Sequence, residues 1–318
     1  MVLSVAGLAL FTAVQTARLE ERYPPRGQFI GVFGGRLHYV ERRPEGVPSG
    51  VTVVLLHGAS GNALEIDLGL GAPLAARGHR VIAFDRPGHG WSDRPKGEKD
   101  ASPAMQAGLI AQGMAGLGID RAVVVGHSLA GAVAANLALD HTDRVSGLML
   151  LSAATHPWEG GVAWQNHVAT APLLGDVMVR TIVMPLGLAT LEKVADRVFL
   201  PHQPPKDYLH RAAIPLILRP DEFQANAEDV KGLLAFVTRQ APRYGDIRVP
   251  TTVMTADRDT IVYPDTHSRP IVKQIEGSKL VILPEAGHMP HHTATDRVVA
   301  EMDELIARVR RGAARPSS

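Results

Sequence analysis

The chain's 318 residues, 45% hydrophobic and 20% charged, have the makeup of a globular protein and not of a disordered one. That length accommodates one large α/β domain or a core with an inserted subdomain. With 33 basic against 32 acidic residues there is no global field to recruit nucleic acid or acidic substrates, and the lack of cysteine excludes disulfides, thiol catalysis and Cys-based metal sites.

Met1 to Val14 (MVLSVAGLALFTAV) carries no charged side chain, and Arg18 to Arg22 then break the apolar run. The segment reads as a short membrane anchor, a signal h-region or a helix packed on the body. It is shorter than the ~20 residues of a spanning helix. It lacks the basic start and small-x-small site of a signal peptide, and it is apolar on all sides, unlike a surface helix. Membrane association through residues 1–17 is therefore one expectation.

QFIGVFGG and RLHYVERR read as two strands joined at Gly34-Gly35. VTVVLLHG (51–58) is a continuous β-branched and leucine run, the mark of a strand buried on both faces. A helical stretch ends near Gly78, RVIAFDRPGHG (80–90) is a strand running into a turn, and Ser102 to Leu117 is helical. RAVVV (121–125), LAGAVAANLALDH (129–141) and RVSGLMLLSA (144–153) read as strand, helix and strand. Such alternation predicts a mostly parallel sheet with helices on both faces.

From about Thr155 to Ala241 the alternation stops. Helix-like segments punctuated by prolines read as a cap over the strands' C-terminal ends, where open α/β sheets bind ligands. VPTTVMTADRD (249–259), a helix through THSRPIVKQI, SKLVILPEAGH (278–288) and a closing helix then resume the pattern. The expected organisation is an N-terminal segment of 1–22, a core of 23–154 and 242–312, and a helical cap of 155–241. Arg308, Arg310, Arg311 and Arg315 read as a solvated helix end, where cations suit the dipole.

Within this pattern VVVGHSLAG (123–131) carries Ser128 at a strand-to-helix junction between small residues, the setting of a nucleophile elbow. Serine is also a favoured N-cap, so the rest of the chain must decide. A serine hydroxyl needs a base, and the base an orienting acid. His288, directly after the strand KLVILP, supplies the base, with His291 and His292 expected as surface or cap contacts. The spacing H-x-x-H-H could suggest a metal, but no further ligand cluster is evident in sequence, so no metal and no cofactor is expected. Asp257 and Asp259, in the loop after the strand at 249–255, both qualify as the acid. HGASGN (57–62) can supply an oxyanion donor from the Ala59 N–H beside the one from Leu129. His57 is expected to be structural, and Asp85 and His89 to form a turn under the site.

Taken in order, HGASGN, FDRPGHGWSD, VVVGHSLAG, TADRDTIV and PEAGHMPHH resemble the α/β-hydrolase superfamily, in its capped branch of esterases, lactonases and carbon–carbon bond hydrolases. Ala130 and Ala256 stand where that pattern has glycine. The resemblance implies an α/β-hydrolase fold and puts the acid on Asp259. It further implies a Ser128–His288–Asp259 triad, oxyanion donors at Ala59 and Leu129, and an acyl-enzyme on a small-molecule ester or lactone. Trp158, Trp164, Met178, Met184, Phe199, Tyr208, Phe223 and Phe236 either line an apolar substrate site or form the cap's own core. The alternatives are carbon–carbon bond hydrolysis by the same triad, and a non-catalytic binding protein on a hydrolase scaffold.

Overall fold

The sheet is assembled from the apolar runs seen in sequence. In the computed structural model, which describes residues 4–313, eight strands lie in the order β1-β2-β4-β3-β5-β6-β7-β8. They are β1 (Gln28–Val32), β2 (Gly35–Arg42), β3 (Thr52–Leu56), β4 (Arg80–Phe84), β5 (Ala122–His127), β6 (Val145–Leu151), β7 (Thr251–Ala256) and β8 (Lys279–Leu283). The hairpin β1–β2 is antiparallel, and β2 pairs antiparallel with β4; the remaining five pairings are parallel. Met1 to Leu3 of the apolar segment and Arg315 of the basic cluster lie outside the described residues.

Side chains alternate across a strand, so a continuous apolar run serves two faces at once. Val54 and Leu56 pack with α3 (Pro103–Gly116) and α4 (Ala130–Asp140), whereas Val53 and Leu55 pack with α2 (Ala63–Ala76) and α12 (Thr295–Ala313). The chain leaves β3 for β4 on one side and returns to β5 on the other. Strand order therefore reverses between β3 and β5, opening a crevice beyond their carboxyl ends. The loop holding Ala59 and the turn holding Ser128 both emerge there.

Between β6 and β7 run five α-helices: α5 (Trp164–Ala169), α6 (Leu174–Thr181), α7 (Val183–Phe199), α8 (Tyr208–Arg211) and α9 (Pro220–Gln240). α10 (Ser268–Gln274) then joins β7 to β8, and α11 (Pro290–Thr293) precedes α12. Residues 5–22 form a helix, α1 (Val5–Arg22), lying against α6 and α7. Ser4 caps it by accepting the Gly7 amide at 3.2 Å. Arg308 departs from the solvated reading: it donates to the Thr251 carbonyl and Thr252 hydroxyl at 3.0 and 2.6 Å, tying α12 to β7.

The turn between β5 and α4 is tight. Ser128 holds φ of 53°, a left-handed conformation that L-residues rarely adopt. The turn also needs backbone to approach backbone. A Cβ on Gly126 would stand 2.5 Å from the Ala130 carbonyl oxygen, and one on Gly131 would stand 2.3 Å from Ala153 Cβ. Gly126→Val should therefore cost about 1–3 kcal/mol or more by overpacking. A lowered urea midpoint checks it; an unchanged midpoint would mean that the turn tolerates opening.

Candidate active site

Burial and backbone bring the expected residues to one place. Ser128, Asp259 and His288 are each at least nine-tenths buried. His288 Nε2 lies 3.0 Å from Ser128 Oγ and His288 Nδ1 lies 2.9 Å from Asp259 Oδ2. The second carboxylate oxygen, Asp259 Oδ1, accepts the Ile261 and Val262 amides, both at 2.9 Å. The carboxylate is thus held by its own turn while facing the imidazole. Asp257, exposed on the same loop, sits away from His288 and contributes only its amide, to the Leu283 carbonyl.

The loop after β3 closes on the same point. A Cβ on Gly58 would lie 2.9 Å from Ser128 Cβ, so only glycine lets this backbone come so near. Among the described residues neither the Ala59 amide nor the Leu129 amide takes a hydrogen-bond partner. Leu129 immediately precedes α4, where free N–H groups and the helix dipole favour negative charge. The surroundings are apolar: Leu129, Ala154, Leu233, Val237 and Val262 form one buried cluster, with Ala59 and Trp158 against it.

Residues 51–295 match the family model described as the alpha/beta hydrolase fold. The chain belongs to that family. It is 28% identical over 262 residues to a 2-hydroxy-6-oxo-6-phenylhexa-2,4-dienoate hydrolase of Comamonas testosteroni, covering 79% of this chain and 84% of that one. The enol-lactonase of Burkholderia xenovorans superposes with a TM-score of 0.69 at 24% identity, over 88% of this chain and 100% of that structure. A thermophilic esterase from Thermogutta terrifontis gives 0.69 at 20% identity, over 89% and 99%. The likenesses to these two structures show the fold, and the sequence-based expectation of an α/β-hydrolase fold is met.

Beneath the site, the hydrolase core is fastened to the inserted helices by residues that the sequence did not single out. Arg86 is fully buried, and its Nε and Nη2 donate to the carbonyls of His57 and Gly58 at 2.9 and 3.1 Å. Its Nη1 donates to Gln106 at 2.9 Å and to Asp229 of α9 at 2.5 Å. Asn226, one turn earlier on α9, accepts the Ser60 amide at 2.6 Å. The loop bearing Ala59 is therefore held from both sides. His57 has the structural role expected of it: its Nε2 accepts the Arg86 amide at 3.0 Å, and burial first, then the Arg86 charge, holds it well below the ordinary histidine range. Asp85 likewise braces its turn, accepting from the Ala63 and Trp91 amides at 2.5 and 2.8 Å.

His292 is a contact of the inserted helices, its ring 5.6 and 5.3 Å from those of Phe199 and Tyr208, whereas His291 is neither a surface nor a cap contact. His291 is fully buried, and both Nε2 atoms lie 2.8 Å from Glu65 Oε1 on α2. Burial alone would raise the Glu65 carboxyl, but the two imidazoles outweigh it and hold it well below the ordinary range. Burial lowers His291 in turn, and the carboxylate accepts from the Nε2 of each ring. These three residues place their ligand atoms within 4.8 Å of one another and are the set among the described residues that could hold a metal. Glu65 thus completes the H-x-x-H-H spacing, and His288 is outside it. The signal missed was an acid on a helix some 226 positions away in sequence.

His127, the residue before Ser128, donates from Nε2 to the His288 carbonyl at 2.9 Å. Burial and the neighbouring His291 and His288 hold its pKa well down, so it stays a neutral donor bracing the His288 loop. The aromatic and methionine residues of the insertion divide. Met184, Phe199, Tyr208 and Phe236 are buried, the first three in a cluster that the inserted helices share with Leu19, Tyr23 and Met289, while Trp158 lies beside Leu129 and Trp164 is exposed.

Two outcomes follow. Asp229→Asn leaves the Arg86 guanidinium buried without its counter-charge and should cost about 3–5 kcal/mol, read as a lower urea midpoint; a shift near zero would show that the tie carries no load. Because the Glu65 pKa is depressed on folding, its stabilisation is present above its unfolded value near 4.3 and is lost as pH falls below it. Glu65→Gln should therefore be less stable than the parent at pH 7 and show a flatter acid limb in unfolding free energy. Parallel acid limbs would contradict this.

Proposed function

We propose that this chain is a serine hydrolase that cleaves a carboxylic ester or lactone through an acyl-enzyme on Ser128. The observation that carries the reading is the unbroken relay from Ser128 Oγ through His288 to Asp259, at 3.0 and 2.9 Å, beside two amides without partners. His288 Nε2 takes the Ser128 proton as Oγ attacks the substrate carbonyl carbon. The developing oxyanion is received by the Ala59 and Leu129 N–H groups, donors fixed in place before the charge appears. His288 then returns the proton to the leaving alkoxide as the carbon–oxygen bond breaks, leaving the acyl group on Oγ. Water attacks in the second half, its proton passing to His288 and back to Ser128, and the acid is released. Asp259 keeps the imidazole in the tautomer that bares Nε2 to Ser128.

The apolar surroundings favour an ester with an apolar portion. Leu129, next to the serine in the chain, belongs to a buried cluster with Leu233, Val237 and Val262, and Ala59 packs against it. A panel of esters, lactones, thioesters and vinylogous diketones separates the readings, the first two classes being expected to turn over.

Ser128→Ala should lower turnover of the best ester by about 10⁶-fold while the protein stays folded. Asp259→Asn should lower it by about 10⁴-fold through the wrong imidazole tautomer, and Asp257→Asn by far less. Retention of more than a small fraction of activity in Ser128→Ala would sink the mechanism. A dead Asp257→Asn beside a nearly normal Asp259→Asn would move the acid to Asp257.

A further inference from the structure

The outer layer formed by α1 and the inserted helices is inverted relative to a water-facing surface. On α1, Thr12 turns inward at 2% exposure with Thr16 beside it, and neither hydroxyl finds a partner among the described residues. Val5, Leu10, Phe11 and Val14 turn outward instead, Leu10 at 66% exposure. A helix on a soluble domain does the reverse. The neighbours continue the pattern. α6 and α7 pack beside α1, and Leu173, Leu174, Val177, Ile182 and Leu186 of these helices and their ends stand exposed.

Charge is placed at the margins of this face. Residues 4–17 contain no Asp, Glu, Lys or Arg, and residues 160–191 contain only Asp176 and Arg180. Charged side chains begin at Arg18 on α1 and Glu192 on α7, where both signs are exposed: Glu21 with Arg22, and Lys193 and Arg197 with Asp196. Trp164 stands exposed at the start of α5, the placement of an aromatic at a membrane–water interface. A protein partner would need about one hydrogen bond per 100–200 Å² of interface, and this face offers few donors or acceptors. An acyl-chain layer needs none, while marginal Arg and Lys can reach lipid phosphates along their apolar stems. Among the described residues no single helix is long and apolar enough to cross a membrane, and α6 and α7 are bent by 61° at their junction. α6 and α7 reach a spanning length only as a bent pair, a geometry that suits lying in the interface.

We propose that the outward face of α1, α6 and α7 docks on a lipid bilayer, so that the site beneath the inserted helices takes a lipophilic ester from the membrane phase. The second half rests on the serine-hydrolase reading above; the docking does not.

Flotation of the full chain with vesicles of phosphatidylcholine, alone or with added phosphatidylglycerol, tests the docking. The parent should float with both. Leu10→Glu with Val14→Glu, and separately Leu174→Glu with Leu186→Glu, should weaken binding by about tenfold or more, since each inserts charge among acyl chains. Circular dichroism and hydrolysis of a soluble acetate ester, both unchanged, show that each variant is folded. Turnover of a long-chain ester dissolved in the vesicles should fall with binding. A parent that stays unbound, or glutamate variants that float as well as it does, would overturn the proposal. So would a lipid-free dimer that the same variants dissociate, because a second copy would then cover the face. Normal flotation with no ester turnover would leave the docking standing and remove the hydrolase reading.

Discussion

The backbone at Ser128 is the constraint on which the rest depends. A left-handed residue between the end of β5 and the start of α4 is sterically costly, and it persists because the sheet and α4 hold both ends of the turn. Ser128 donates its amide to the Leu151 carbonyl and accepts the Ala154 amide on its own carbonyl, both at 3.0 Å, so β6 braces the turn as well. In return, Oγ is lifted off the sheet's edge toward His288, and the following amide is left facing the same space. The small residues of the motif answer to this geometry. Gly126 and Gly131 admit the Ala130 carbonyl and Ala153, so loss of either space would move the serine as well as the core.

A second interaction fixes the opposite wall. Arg86 meets two carbonyls of the His57–Gly58 loop and a carboxylate of α9, all without exposure to water. A buried guanidinium is tolerable only when its donors are matched, and the matching here couples the loop bearing Ala59 to the inserted helices. Arg94 extends the tie, pairing with Glu228 and Asp229 at 2.9 and 3.0 Å. The insertion is thus part of the electrostatic frame of the candidate site.

The legible parts of the molecule were those governed by local rules. A strand buried on both faces must be apolar throughout, which exposed β3, β5 and β6. A strained turn must have small neighbours, which exposed Ser128, and a base must follow a late strand, which exposed His288. Asp257 and Asp259 were not separable by local rules, because two acids in one turn are equally plausible turn formers. Only the family register favoured Asp259, and burial sets it against His288. Arg86 with Asp229, and Glu65 with His291 and His292, were hidden for a different reason. Each pair spans more than 140 residues and is meaningful only once the fold has brought its members together. In the insertion, aromatic content could not say which rings face the site, since a helical cluster needs its own core first.

Everything proposed for the reaction turns on Ser128 as the acyl-accepting nucleophile. Treating the native chain with a fluorophosphonate, followed by intact-mass measurement and peptide mapping, reads it directly, because only an activated serine attacks phosphorus quickly. A single adduct is expected, on the peptide bearing Ser128, that is lost when the protein is unfolded before treatment. An adduct on another serine, or none under conditions where the chain turns over an ester, would contradict it.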